Sequence, residues 1–383
     1  MRILYYTFLV FFLGLLMGMW LYRKLFSSRP KKVGLDEYER LYSAGMRSLG
    51  MGDFNRAVAS LTSAAKHRTK SFELFLLLGD IYREKGEPEK AIKIHTPLRF
   101  RSDLTESQKV MVLNSLGRDY SFAGINDRAI RSYMEALEID DKNRDSLKEL
   151  LDLYEKEKKL ERAIEICQRL MKVDPGIEDI KLAHLYTEFG IEKFFDGNLD
   201  EALKLFRKAL SIDEDIPAAR LNTGDIHFRM GKHEKAMEEW ESLLEKYSGY
   251  RPIILERLKE ALDALSEPTR IEKICLKLLR GNSDDWQTRL FLSEHYLMGN
   301  QMDIAKRYCK EAFMINPHSR SVQKQLLKLL SGESQEARAF TKDLKIWEPP
   351  LFTDPYLCKE CRFQSNDFLW KCPQCGSWES FRL

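Results

Sequence analysis

The chain has 383 residues, 44% of them hydrophobic and 32% charged, so it carries enough apolar side chain to fold and is not disordered overall. Sixty-two Lys and Arg oppose fifty-nine Asp and Glu, and the net charge of +3 gives no global reason to expect nucleic acid as a partner. The seven cysteines are an odd number without even spread, which argues against a disulfide framework; four of them form two Cys-x-x-Cys pairs, pointing to a metal and a reducing compartment.

In chain order, the first element is an apolar run. Ile3 to Tyr22 carries no charge, and a helix of that length spans roughly 30 Å, the thickness of a bilayer core. Tyr5, Tyr6, Trp20 and Tyr22 stand near its ends, where interfacial aromatics belong. The run is too long for a signal peptide and lacks its basic start. Residues 1–22 are therefore expected to form an uncleaved transmembrane helix. Residues 23–34 form a basic linker with Arg23, Lys24, Arg29, Lys31 and Lys32, which by the positive-inside rule places the bulk of the chain on the cytoplasmic side. Gly14 and Gly18, four apart, make a flat groove where a second membrane helix could approach.

Residues 35–319 hold a repeat. A small residue is followed twelve positions later by Ala at Gly45 and Ala57, Gly79 and Ala91, Gly117 and Ala129, Gly190 and Ala202, and Gly224 and Ala236, with Leu151 and Ala163, and Ser293 and Ala305, as variants. The period of about 34 residues is similar to that of the tetratricopeptide repeat, a helical hairpin whose small residues let helices cross closely. About eight hairpins are expected, one of them degenerate near 252–280. The fold class is all-α, a tetratricopeptide superhelix whose first helices line a groove. Phe122, Phe194, Phe195, Phe228 and Arg229 fall at positions that face such a groove or wedge the core. Residues 320–351 read as a further helix and a Pro linker, since Pro349 and Pro350 stop any helix.

The tail, residues 352–383, reads Cys358-x2-Cys361-x10-Cys372-x2-Cys375. Two such turns facing each other supply a closed tetrahedral four-thiolate cage. A closed cage leaves no position for an activated water, so its role is structural or electron-transferring. Spacing leaves iron and zinc open. Cys372-Pro-Gln-Cys375-Gly376 is similar to rubredoxin and zinc-ribbon knuckles, whereas Arg362 stands where that pattern has Gly. Tyr356, Phe363, Trp370 and Trp378 are expected to pack around the cage.

No phosphate-binding loop, zincin motif or nucleophile elbow is present, and no pair of carboxylates stands out, so the chain reads as a binder rather than an enzyme. The order of parts, an apolar N-terminal run, a basic linker, tetratricopeptide repeats and a Tyr-x-Cys-x-x-Cys...Trp-x-Cys-Pro-x-Cys ending, resembles the lipopolysaccharide assembly protein B family of Gram-negative bacteria. The resemblance implies a single-pass inner-membrane protein with its bulk in the cytoplasm. It implies an adaptor presenting the committed lipid A deacetylase to a membrane AAA+ protease, contacts with other inner-membrane envelope proteins, and metal on Cys358, Cys361, Cys372 and Cys375. A generic scaffold for envelope assembly, or a tethered rubredoxin-type electron carrier, is the alternative. Homo-oligomerisation is left open.

Overall fold

The computed structural model describes Met17, Met19 and residues 33–174, 176, 179–330 and 354–382. These form seventeen α-helices and one three-stranded sheet, grouped in two compact units: residues up to Lys158 with Lys172–Asp174, and Lys159–Met171 with residues 175 onward.

The first unit holds three antiparallel hairpins, α1 (Val33–Gly50) with α2 (Phe54–His67), α3 (Phe72–Glu84) with α4 (Pro88–Arg99), and α5 (Glu106–Phe122) with α6 (Asn126–Ile139), followed by α7 (Arg144–Lys156). The second begins with α8 (Leu160–Val173) and continues with α9 (Asp179–Phe195) and α10 (Leu199–Ile212), then α11 (Pro217–Arg229) and α12 (His233–Lys246). It ends with α13 (Arg251–Ala264) and α14 (Arg270–Gly281), α15 (Trp286–Met298) and α16 (Met302–Ile315), and α17 (Arg320–Leu330). The stretch that lost its small residues, 252–280, still forms a hairpin.

The hairpins close because their turns adopt a left-handed backbone. Gly52, Gly86, Gly124, Gly197 and Gly231 have φ between 73° and 82°, a region glycine enters without steric cost. In the turns that precede α8, α14 and α16, Lys158, Ser266 and Asn300 take the same conformation, with φ of 57°, 61° and 58°. Within a hairpin the two helices meet at the small residue. A Cβ at Gly45, Gly79, Gly117, Gly190 or Gly224 would collide with the side chain of Leu61, His95, Tyr133, Phe206 or Trp240 respectively. Ala57, Ala64, Ala91, Ala129, Ala136, Ala202, Ala209 and Ala236 are fully buried beside these crossings.

The expectation of a transmembrane helix, and with it an inner-membrane position, is corrected. Among the described residues no helix is long and apolar enough to cross a membrane. The longest, α1, has 18 residues, and Asp36, Glu37, Glu39, Arg40 and Arg47 punctuate it. Its neighbours are amphipathic, each burying one face against its hairpin partner and leaving charge on the other. Apart from Met17 and Met19, the run from Ile3 to Tyr22, with Gly14 and Gly18, lies outside the described residues, as do residues 331–353.

Candidate metal centre

The C-terminal unit is a small ribbon. Its strand β1 (Tyr356–Cys358) pairs antiparallel with β2 (Gln364–Ser365), Tyr356 opposite Ser365, and with β3 (Phe381–Arg382), Cys358 opposite Phe381. The two Cys-x-x-Cys turns fold alike: the Arg362 N–H donates to the Cys358 carbonyl at 3.0 Å, and the Gly376 N–H to the Cys372 carbonyl at 2.9 Å. Both turn residues are left-handed, with φ of 64° at Arg362 and 74° at Gly376. The departure from glycine in the first knuckle thus leaves the turn intact and places a side chain in strained backbone.

These turns bring four sulfurs together. All four Sγ atoms lie within 4.8 Å of one another, with Cys358 and Cys375 3.7 Å apart and Cys361 and Cys372 3.6 Å apart. A tetrahedral ion with metal–sulfur bonds of about 2.3 Å needs sulfurs about 3.8 Å apart, so the donor set fits a four-thiolate metal site. The surroundings favour thiolate at Cys358 and Cys375. Burial works against ionising Cys358, but the Ser380 hydroxyl, 3.2 Å away, and the N–H groups of Cys361 and Glu360 outweigh it and hold the thiol down to about 6. Although the Phe363 N–H points at it, Cys361 is pushed up to about 12 by burial and by the neighbouring sulfurs. Four thiolates this close need a cation among them.

The ribbon belongs to the second unit and packs against its helices. Trp370 and Phe368 each meet the Tyr250 ring edge-on, with centroids 5.2 Å apart, at the start of α13. The Arg382 guanidinium donates to the Tyr250 hydroxyl at 2.9 Å. Trp378 stacks on His184 of α9 at 4.8 Å and 10°, and one turn further Glu188 pairs with Lys371 at 2.7 Å. Asp354 caps α17, accepting from the Ser319 hydroxyl at 2.6 Å and the Arg320 N–H at 2.8 Å. Tyr356 and Phe363 pack at the cage as expected. Trp370 and Trp378 turn outward because the helices offer them aromatic partners.

Docking perturbs two groups that contact it. Burial holds the His184 imidazole down to about 4. Burial, reinforced by Asp213, pushes the Glu379 carboxyl up to about 7.

The predicted groove residues differ in exposure and packing. Phe122 and Phe195 are exposed, at 61% and 78%. Phe194 is buried, with the Arg229 guanidinium 4.0 Å above its ring, and Phe228 packs on Trp240 and His233. Sequence reading missed Asp354 in the tail, and His184, Glu188 and Tyr250, whose only signal was polar or aromatic placement in sequence otherwise read as repeat.

Family models agree with this division. A rubredoxin metal binding domain matches residues 356–382, and tetratricopeptide repeat models match residues 42–94 and 196–251. Lipopolysaccharide assembly protein B of Escherichia coli K12 is 25% identical over 333 residues, which are 86% of this chain and 85% of that protein. The chain is similar to lipopolysaccharide assembly protein B over most of both lengths. The protein of that name from Haemophilus influenzae is 28% identical over 318 residues, 81% of this chain and 79% of its own length. The likeness to lipopolysaccharide assembly protein B therefore spans far more than the repeats of any one family model. Tetratricopeptide hairpins over most of the described length and a closed thiolate site at the end give the chain the architecture of a protein-binding scaffold.

Proposed function

We propose that the chain is an adaptor in lipopolysaccharide assembly, holding proteins that set the rate of lipid A synthesis. The observation that carries this reading is the resemblance to proteins named lipopolysaccharide assembly protein B over about four-fifths or more of both chains. Repeat arrays alone would support only a generic scaffold. At its finest, the reading has the chain bring the committed lipid A deacetylase to an AAA+ protease. Depleting the protein in its own host should then lengthen the half-life of the deacetylase severalfold; an unchanged half-life overturns this assignment. Co-purification of synthetic or transport enzymes in place of the deacetylase and the protease would instead support the generic scaffold.

The metal proposed for Cys358, Cys361, Cys372 and Cys375 is zinc, acting as a clamp. A docked ribbon whose aromatics are engaged by helices suits a structural ion without redox demands. The purified chain should hold one zinc and be colourless. An iron–thiolate absorption band with a reversible couple would overturn this and support an electron carrier.

A further inference from the structure

The four sulfurs of the cage are not equally sheltered. Cys358 and Cys372 are buried, Cys361 is half-buried and Cys375 is exposed. The difference follows from how the ribbon docks. Its side chains that meet the helices include Phe368, Trp370, Lys371, Trp378 and Arg382, whereas the second knuckle, Pro373 to Gly376, stays open to solvent. Cys375 is thus the corner of the cage that solvent reaches, with the Ser377 hydroxyl 3.2 Å from its sulfur. The buried Cys358 sulfur lies 3.7 Å behind it. Cys358 stands on β1 opposite Phe381 and, with Cys372 and Phe381, makes up the buried core of the ribbon. An accessible sulfur that a metal holds as thiolate, backed by a second sulfur within reach, is the arrangement in which an oxidant attacks the first and the second closes a disulfide.

We propose that Cys375 is an oxidative modification site at which a hydroperoxide opens the cage, with Cys358 as the resolving thiol and release of the ribbon as the result. The Cys375 thiolate attacks the distal peroxide oxygen. The O–O bond breaks, Cys375 becomes a sulfenic acid, and the departing alkoxide or hydroxide takes a proton from water. The Cys358 thiolate then attacks the sulfenic sulfur. The S–S bond forms, the S–O bond breaks, and the departing hydroxide is protonated in turn. Two thiolates are oxidised to one disulfide, and one hydroperoxide is reduced to an alcohol and water, or to two waters. The pair left behind, Cys361 and Cys372, cannot enclose a tetrahedral ion. A ribbon that depends on its ion then leaves Tyr250 and His184, and a dithiol reductant with fresh metal restores it by exchange. The inference rests on the reading of the metal as a structural clamp.

The test uses the metal-loaded full-length chain, its metal identified beforehand, and stoichiometric hydrogen peroxide. Dimedone should trap a sulfenic acid at Cys375 before any other cysteine, with the buried Cys167, Cys275 and Cys309 as internal comparison. Without dimedone, peptide mapping should find a Cys358–Cys375 disulfide, formed in step with metal release. Hydrogen exchange should rise at α9, α13, α17 and residues 354–382 over the same time course, and dithiothreitol with added zinc should restore protection. Cys375→His keeps a zinc-binding side chain at the exposed corner without a thiol and should slow metal release severalfold. If that variant holds no metal, the order of modification in the natural chain decides. Sulfenic acid first at another cysteine, a disulfide that omits Cys375 or Cys358, metal retained after Cys375 is oxidised, or a ribbon still protected once the disulfide has formed overturns the proposal. Iron in the starting protein counts against the zinc reading and not against this one, because the thiols are mapped in the same way with either metal.

Discussion

Arg362 occupies the left-handed position that Gly376 fills in the second knuckle. For an L side chain this conformation costs on the order of 1–2 kcal/mol, part of which a glycine gives back through the greater freedom of the unfolded chain. Arg362→Gly should therefore stabilise the metal-loaded ribbon by up to about 1 kcal/mol, seen as slower metal loss to a chelator; faster loss would mean that the side chain makes a compensating contact. Two other residues set a pH window for docking. His184 is neutral against Trp378 down to about pH 4, whereas a free imidazole titrates near 6.5. Below 6.5 the undocked state takes up a proton that the docked state refuses, so the His184 contribution is present above that pH and is lost as pH falls towards 4. Glu379 acts in the opposite sense. Its carboxyl, pushed up to about 7 from 4.5, stays protonated when docked, so its contribution is present below 4.5 and fades as pH rises through 7. Glu379→Gln should remove the upper loss and His184→Phe the lower one, measured as hydrogen exchange of the ribbon across pH 4 to 8. Profiles unaltered by both changes would show that docking is insensitive to either group.

At the scale of the helix pair, one position explains much of the array. Sixteen residues after the small position stand Leu61, His95, Tyr133, Phe206 and Trp240 where that position is Gly. Where it is Leu151 or Ser293, the same register holds Cys167 and Cys309. A bulky residue thus goes with a missing Cβ. In the last of these pairs Ser293 hydrogen-bonds the Cys309 thiol, which burial pushes up to about 12. The three scattered cysteines are buried core residues. The periodic small residues were plain in the sequence because crossing geometry constrains them directly. Their bulky partners were not, because any of five side chains fills the same space. Gly224→Ala should drive a methyl into Trp240, whose indole N–H donates to the Leu221 carbonyl at 3.1 Å, and should cost about 1–3 kcal/mol in urea unfolding of the second unit. Ser266→Gly, at a turn with φ of 61°, should instead stabilise it by up to about 1 kcal/mol. A neutral Gly224→Ala would mean the helices separate without loss.

At the scale of the second unit, the ribbon and the helices are held together by residues far apart in the chain. Tyr250 and Arg382, or Glu188 and Lys371, lie more than a hundred residues apart, so no local pattern announced their contact, although the cysteine spacing announced the cage. The ribbon's own core is small: Cys358, Cys372 and Phe381 are its buried members, and two of the three are metal ligands by their geometry. A unit of this size cannot fold on apolar burial alone and depends on its ion. Removing the metal should therefore release the ribbon, uncover Tyr250 and the His184 face of α9, and free the first turn of α17 from its Asp354 cap. Helical content should barely change, since the ribbon contributes none. Hydrogen exchange before and after chelation should show protection lost at α9, α13, α17 and residues 354–382, with α2 to α6 unaffected. Cys372→Ser should reproduce the pattern without a chelator. If the metal-free ribbon stays protected, the aromatic contacts at Tyr250 and His184 suffice to fold it, and the ion is an addition to the docked state and not its cause.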